Sequence, residues 1–300
     1  EDCCMKKTVI ALGFFDGLHL GHAELIKRTK ERAADSGAEP AVLTFDTHPD
    51  IFVLHRDVPL LTSGEERAEM IRRLFGVENV MFVHFSEEVM RMDWRSFLDS
   101  LRTELGAQHL VVGHDFRFGY RGEGTAEKLA GYCGGHGMGC DIIPPVKVDG
   151  VTVSSTRIRA LVSEGDMAGA ERLLGHPHEL SDIVCSGYKL GRRMGTPTIN
   201  MHIPEHVIVP RYGVYATRVF FDGEEHTAVT NVGVRPTFAN GNTASVESYI
   251  LDYSGNLYGK RVRVEFYTFI RPERRFDCPE ALRAQILTDE CAVREYFKSR

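Results

Sequence analysis

The stretch Thr8-Val9-Ile10-Ala11-Leu12-Gly13-Phe14-Phe15-Asp16-Gly17-Leu18-His19-Leu20-Gly21-His22 decides how the first half of the chain is read. A short apolar, β-prone run enters a turn punctuated by glycines, and Ala23–Ala34 then carries a helical pattern. A strand that turns through glycines into a helix presents the helix's first N–H groups and its partial positive charge, which suits a phosphate. Gly13, Gly17 and Gly21 allow tight turns and close approach of backbone to a ligand. His19 and His22 share one face if the helix has begun by residue 19. Taken alone, H-x-x-H is also what a helix surface or half a metal site offers; Asp16 could add a zinc ligand, but no fourth is near. Glycines, context and histidines together favour two imidazoles that bond phosphate oxygens and stabilise charge on a transferred phosphorus and its leaving group.

Outward from this stretch, strand-like runs at Thr8–Leu12, Ala41–Phe45, Val80–Phe85, His109–Val112 and Cys140–Ile143 alternate with helix-like runs. Those are Ala23–Ala34, Glu65–Phe75, Trp94–Leu105 and Ala126–Cys133. The alternation predicts an α/β unit with a doubly wound, mostly parallel sheet, whose ligands bind beyond the strand ends after Leu12, Phe45 and Val112. Helical stretches at Ser155–Val162 and Met167–Leu174 close this half. After Gly175-His176-Pro177 strand-like runs follow one another: Ile183–Gly187, Gly213–Phe221, His226–Val232, Ala244–Leu251 and Arg261–Ile270. Turn signals at Asp222-Gly223, Asn240-Gly241 and Ser254-Gly255-Asn256 make this an antiparallel β-barrel. A terminal helix, Pro279–Phe297, carries Leu282, Ile286, Val293 and Phe297 along one side for docking on it. The boundary falls near 178–182, giving domains 1–180 and 181–300.

With 300 residues, 43% hydrophobic and 26% charged, the chain has the composition of a globular protein of two domains. Its net charge of -6 argues against a general nucleic-acid binder. No apolar run approaches the roughly 20 residues that cross a bilayer. The basic pair and short apolar run at Met5–Leu12 read as a first strand rather than a signal peptide, with Glu1–Cys4 as an added or frayed end. The seven cysteines are odd in number, irregularly spaced and without C-x-x-C, so free thiols in a reducing cytoplasm are expected.

Gly-x-Phe-Asp-Gly-x-His-x-Gly-His resembles the bacterial bifunctional riboflavin kinase/FMN adenylyltransferase family, also called FAD synthetase. H-x-G-H is shared more widely among nucleotidyltransferases, and three further segments narrow it. Thr44-Phe45-Asp46-Thr47-His48-Pro49, Val112-Gly113-His114-Asp115-Phe116-Arg117-Phe118-Gly119 and Ser154-Ser155-Thr156-Arg157-Ile158-Arg159 each resemble a family motif. The resemblance implies that Gly13, Phe14, Asp16, Gly17, His19, His22, His48, Ser155, Thr156 and Arg159 handle ATP, and that Asp115, Phe116, Phe118 and Gly119 serve the flavin. Read alone, the Ser-Ser-Thr segment is an ordinary helix cap and the two phenylalanines are core. Phe14 stands where the family usually has Asn and Thr47 where it usually has Pro, and His114 is also unusual.

No G-x-x-x-x-G-K-[S/T] occurs, so any kinase here is not of the P-loop kind. In Gly187-Tyr188-Lys189-Leu190-Gly191-Arg192-Arg193-Met194-Gly195-Thr196-Pro197-Thr198-Ile199-Asn200, glycines and basic residues could cradle phosphates. Thr198 and Asn200, two apart, point the same way in an extended segment, and their hard oxygens are a partial shell for Mg²⁺. Read alone, Pro-Thr-x-Asn is a turn. The stretch resembles the riboflavin kinase signature, and the likeness continues through Gly213–Ala216, Asn231–Phe238, Leu257–Arg261 and Phe269–Phe276, with Thr196 for a customary Phe. It implies that Gly187, Gly191, Arg192, Gly195, Thr198 and Asn200 serve Mg·ATP and that Arg235, Arg271 and Arg275 serve the flavin.

Glu247 lies in Val246-Glu247-Ser248-Tyr249-Ile250-Leu251, where neither face is plainly polar and a buried carboxylate is costly unless paired or employed. The family places its general base there; the alternative is an ion pair with a neighbouring-strand Arg such as Arg263. The expected enzyme converts riboflavin and ATP to FMN and ADP in the C-terminal domain, then FMN and ATP to FAD and pyrophosphate in the N-terminal one, both with Mg²⁺. Riboflavin, FMN, FAD and ATP are the expected ligands, nucleic acid and membrane are not, and a homo-oligomer is left open. Two rivals are a chain with one live site and a flavin-sequestering protein without chemistry. His19, His22, Thr198, Asn200 and Glu247 together speak against the latter, because binding needs no base.

Overall fold

Strand β1 (Thr8–Leu12) is buried at every position, as a strand covered on both faces must be. Ile10 and Leu12 pack on one side with Phe97, Leu98 and Leu129; Val9 and Ala11 pack on the other with Ile26, Phe15 and Ile71. This two-sided burial is why the segment reads as a continuous apolar run rather than an alternation. The computed structural model describes residues 6–48, 58–84, 86–185, 198–237 and 241–300. By contacts the chain divides into two compact units, Glu1–Val58 with Gly64–Ser154, and Pro59–Ser63 with Ser155–Arg300.

In the first unit β1 is followed by α1 (Leu20–Ser36), β2 (Glu39–Phe45), α2 (Gly64–Phe75) and β3 (Asn79–Val83). Then come α3 (Glu87–Arg91), α4 (Trp94–Glu104), β4 (Ala107–Gly113), α5 (Ala126–Gly135) and β5 (Gly139–Ile143). The strands form one parallel sheet in the order β3-β2-β1-β4-β5. Helices α1 and α2 supply Ile26 and Ile71 to one face, and α4 and α5 supply Leu98 and Leu129 to the other. The expected doubly wound sheet is present, and strand order reverses between β1 and β4, where such sheets bind ligands. The five-residue α3, capped by Ser86, is too short for its periodicity to be read.

The second unit opens with α6 (Ser155–Glu164) and α7 (Met167–Leu174), which pack on each other. It continues through β6 (His178–Ile183), β7 (Thr198–His202), β8 (Gly213–Phe221), β9 (Glu224–Thr237), β10 (Gly241–Ile250), β11 (Arg261–Arg271) and α8 (Pro279–Lys298). The sheet order is β6-β11-β8-β9-β10-β7, antiparallel throughout. Its two edges meet beyond β6, where Cys185 N–H donates to Asn200 O at 2.8 Å, closing the expected barrel. Val293 of α8 docks against Val214, Ala216 and Val229. Because α7 packs on β6 and β11, the contact units part at Ser154/Ser155 rather than at 180/181.

The first barrel strand differs from the expected Ile183–Gly187, of which residues 186–187 lie outside the described residues. The strand is His178-Glu179-Leu180-Ser181-Asp182-Ile183, with His178, Glu179 and Ser181 buried. Its polar composition hides it. Glu179 stands opposite Glu265 in the register, and Arg263 bonds both carboxylates, so a like-charged pair is tolerated inside the sheet. Among the described residues no helix is long and apolar enough to cross a membrane.

Arg263→Met leaves two inward carboxylates facing each other and is expected to lower the unfolding free energy by about 3–5 kcal/mol, read by urea denaturation. A pH dependence follows from His178, whose pKa burial pushes down from 6.5 to about 3, with His176 adding to the effect. The folded state holds this ring neutral while the unfolded chain takes a proton below pH 6.5. Its contribution is therefore complete above that pH and falls by about 1.4 kcal/mol per unit as pH drops from 6.5 towards 3. His178→Phe should flatten this acid limb by one proton, measured as denaturation midpoints between pH 7 and 4.

Candidate active sites

The β1–α1 loop holds a conformation that residues with side chains rarely adopt. Phe15 (φ 58°), Gly17 (φ 74°) and Leu18 (φ 46°) all lie in the left-handed region. Phe15 and Leu18 are fully buried with Leu25 and Ile26, and that burial maintains the strained backbone. Helix α1 starts at Leu20, so His19 is its N-cap rather than a residue on its face. The two rings nevertheless stack, centroids 3.6 Å apart and 12° from parallel, because His19 Nδ1 accepts the His22 N–H at 3.3 Å. Gly21 makes this room: a Cβ there would stand 3.0 Å from His19 Cε1. With Nδ1 accepting, a neutral His19 carries its proton on Nε2. His22 is held well below its ordinary pKa by burial first, then by His19 and Arg67, so it is a neutral imidazole near pH 7.

Asp16 is buried in the same loop, and His48 packs edge-on against Phe14 at 4.6 Å. Thr44 Oγ1 donates to Phe14 O at 2.9 Å, tying the end of β2 to the loop. A residue that no motif signals also belongs here. Arg67, on α2, lies fully buried with its guanidinium 4.0 Å from the centre of the Phe14 ring. Beside β1, the loop after β4 carries Asp115, exposed, and Phe116, half-buried and stacked on Phe118 at 5.4 Å. Phe118 packs inside the core against Phe97, which is the core reading weighed for it. Gly119 (φ 71°) is demanded sterically, since a Cβ would lie 2.7 Å from Trp94 Cα. In the second unit, Ser155, Thr156 and Arg159 form the first turns of α6, and Arg159 Nη2 donates to Thr156 Oγ1 at 3.2 Å.

The second site follows from strand register. β10 lies between β7 and β9, which places Asn200, Glu247 and Asn231 in one row and Thr198, Tyr249 and Val229 in the next. Residues two apart share a face, so both rows look the same way. There they meet a cavity of about 320 Å³ whose lining includes Thr198, Asn231, Glu247, Tyr249 and Arg271, closed on the α8 side by Leu282 and Ile286. Thr198 also lines a second, smaller cavity with Asn200, Tyr253 and Tyr258. The face around Glu247 is thus more polar than its own strand suggests, because the neighbouring strands contribute two amides. Arg263 lies on β11, separated from β10 by β8 and β9, and pairs with Glu179 and Glu265, so it is not the partner of Glu247.

Two models of known families match the chain: one described as FAD synthetase over residues 2–157, the other as riboflavin kinase over 174–297. A bifunctional riboflavin kinase/FMN adenylyltransferase of Listeria monocytogenes is 37% identical over 291 residues, covering 96% of this chain and 92% of that protein. The same-named protein of Bacillus subtilis is 36% identical over 298 residues, covering 98% and 93%. The chain belongs to the bifunctional riboflavin kinase/FMN adenylyltransferase family. A crystal structure described as a macrolide-efflux protein from Streptococcus pneumoniae shares the fold with a TM-score of 0.82 and 30% identity, covering 96% of this chain and 94% of that one.

Of the residues that the family resemblance singled out, Gly187, Gly191, Arg192 and Gly195 lie outside the described residues, and Arg235 sits on β9 opposite Thr243. Arg271 lines the cavity, but its guanidinium is committed to Asp289 through bonds of 2.9 and 2.7 Å, and Gln285 bonds the same carboxylate at 2.8 Å. Arg275 is exposed, and Arg274, stacked on Phe276 at 4.6 Å, is the neighbour that lines the cavity. Beyond Arg271 the chain leaves the sheet, so sequence parity no longer tells which side chain faces the site. Asn231 opens a segment of the family likeness without a role of its own, and Tyr249 and Asp289 carry no readable signal; the register and the docking of α8 bring all three there. Arg271→Ala strands the buried Asp289 carboxylate; we expect a loss of about 3–5 kcal/mol and faster amide exchange along α8.

Proposed function

We propose that the two sites divide a two-step synthesis of FAD, with the residue roles that follow. As a member of its family the chain phosphorylates riboflavin in its C-terminal module and adenylylates FMN in its N-terminal module. We assign the modules to residues 1–180 and 181–300; the FAD synthetase match lies within the first, and the riboflavin kinase match begins at 174, seven residues before the second. The observation that carries the assignment of roles is the row Asn200–Glu247–Asn231, in which one carboxylate stands between two amides and Glu247 and Asn231 line the cavity.

In the kinase module the flavin occupies that cavity, and Glu247 takes the proton from its terminal ribityl hydroxyl as the oxygen attacks the γ-phosphorus of ATP and ADP leaves. General-base help of this kind is worth about 10²–10⁴ in rate. Thr198 and Asn200 offer a hydroxyl and an amide oxygen, a donor set that fits Mg²⁺ bound together with phosphate oxygens; the ion supplies neutralisation of phosphate charge. Among the described residues no cluster of His, Cys, Asp or Glu competes as a metal site. In the adenylyltransferase module a phosphate oxygen of FMN attacks the α-phosphorus of ATP and pyrophosphate leaves. His19 and His22, stacked at the start of α1, donate to the phosphate oxygens as charge builds on them. Asp16 and His48 serve the same nucleotide, and Asp115, Phe116 and Gly119 the flavin. We place the enzyme in the cytoplasm, in keeping with the unpaired Cys133, Cys140, Cys185, Cys278 and Cys291.

The two activities are separable by mutation. Glu247→Gln should cut FMN formation from riboflavin by about 10²-fold or more while FMN is still converted to FAD. His19→Ala with His22→Ala should leave FMN as the end product, read by chromatography of the flavins. Loss of both activities in either folded variant would overturn the division.

A further inference from the structure

Arg67 has no accessible surface, yet only one arm of its guanidinium is bonded. Nη1 donates to Thr44 Oγ1 and to Phe45 O, each at 2.9 Å. Nε and Nη2 are buried with no hydrogen-bond partner among the described residues. Burial draws its pKa down to about 10, and Asp16 and Asp46 oppose that shift, so the group is a cation at neutral pH. A buried cation with two donors unmade is among the costlier arrangements a fold can retain. From α2 it faces the β1–α1 loop. Phe14 lies against the guanidinium face, His48 packs on the edge of Phe14, and the neighbouring His22 has its own Nδ1 buried without a partner among the described residues. Unmade bonds on two adjacent nitrogen-bearing groups, at a helix start that already favours negative charge, call for an anion.

We infer that Arg67 is a further phosphate-binding residue of the adenylyl-transfer site, its Nε and Nη2 taking an oxygen of a bound phosphate when the Phe14 ring turns aside. The inference rests on the reading that this loop binds phosphates, and the phosphate belongs either to ATP or to FMN. An Arg can meet a phosphate with two donors in a fixed fork, which Lys cannot reproduce.

The test uses the full-length enzyme and follows FAD formation from FMN and ATP, which reports the first site alone, with riboflavin phosphorylation as control. Arg67→Met is expected to raise the KM for one substrate by about tenfold or more and to leave riboflavin phosphorylation at the wild-type rate. A raised KM for ATP assigns the contact to the triphosphate, and a raised KM for FMN assigns it to the flavin phosphate. Its ligand-free melting temperature should match or exceed that of the wild type, because Met removes the unmade donors. If Arg67→Met does not fold, Arg67→Lys gives the same reading through the loss of the fork. KM values for both substrates within twofold of wild type, in whichever variant folds, overturn the inference and leave Arg67 a core residue satisfied by water. A wild-type chain that makes FMN but no FAD would instead remove the adenylyl-transfer reading beneath it.

Discussion

A one-residue slip in the pairing of β10 would turn Glu247 to the face now occupied by Val246, Ser248 and Ile250, and the kinase site would vanish. What prevents the slip lies on the opposite face of the sheet. Thr217, Thr230 and Ser248, all buried, form a hydroxyl chain across β8, β9 and β10 with oxygens 2.6 and 2.7 Å apart. Moving β10 by one position would strand these hydroxyls in the core, at a cost of about 1–3 kcal/mol for each unmade bond. It would also expose Val246 and Ile250. The polar ladder inside and the polar row outside are therefore one device: the first holds the register that the second uses.

The other site relies on stored strain rather than on register. Two apolar anchors, Phe15 and Leu18, hold the β1–α1 loop in left-handed conformations, and the parallel sheet beneath provides the rigid floor. The loop brings two stacked imidazoles to a helix start, one of them kept neutral by burial and by nearby positive charge. A neutral His22 imidazole beside a buried cation forms an environment biased towards anions before any ligand arrives, so little reorganisation is left for the moment of reaction. Phe14, the departure from the family's usual Asn, takes part in this environment, since its ring covers Arg67 and packs against His48.

The fold was largely legible in the sequence where burial is simple. β1, β8 and α7 occur at their expected bounds, because each is an apolar or cleanly amphipathic run ended by a turn signal. β6 was misplaced because three of its buried residues, His178, Glu179 and Ser181, are polar, and only pairing with β11 and Arg263 makes their burial tolerable. Helices α6 and α7 were grouped with the first half by their position in the chain, whereas their packing belongs to the second unit. His19 was expected on a helix face and is a cap, a difference of one residue in where α1 begins.

By itself the sequence determined the chemistry available: a glycine-rich strand-to-helix turn with two histidines, a hydroxyl and an amide two residues apart, and a carboxylate in a strand. Local patterns record such things because turn conformation and side-chain parity depend on near neighbours. Tertiary structure alone decided which groups act together. The amides flanking Glu247 come from strands 47 residues before and 16 residues before it, as the pairings Asn200↔Glu247 and Asn231↔Glu247 show. Arg67 reaches Phe14 from a helix two elements downstream of α1. Long-range pairing and packing depend on how whole faces are buried, and no short stretch of residues encodes that.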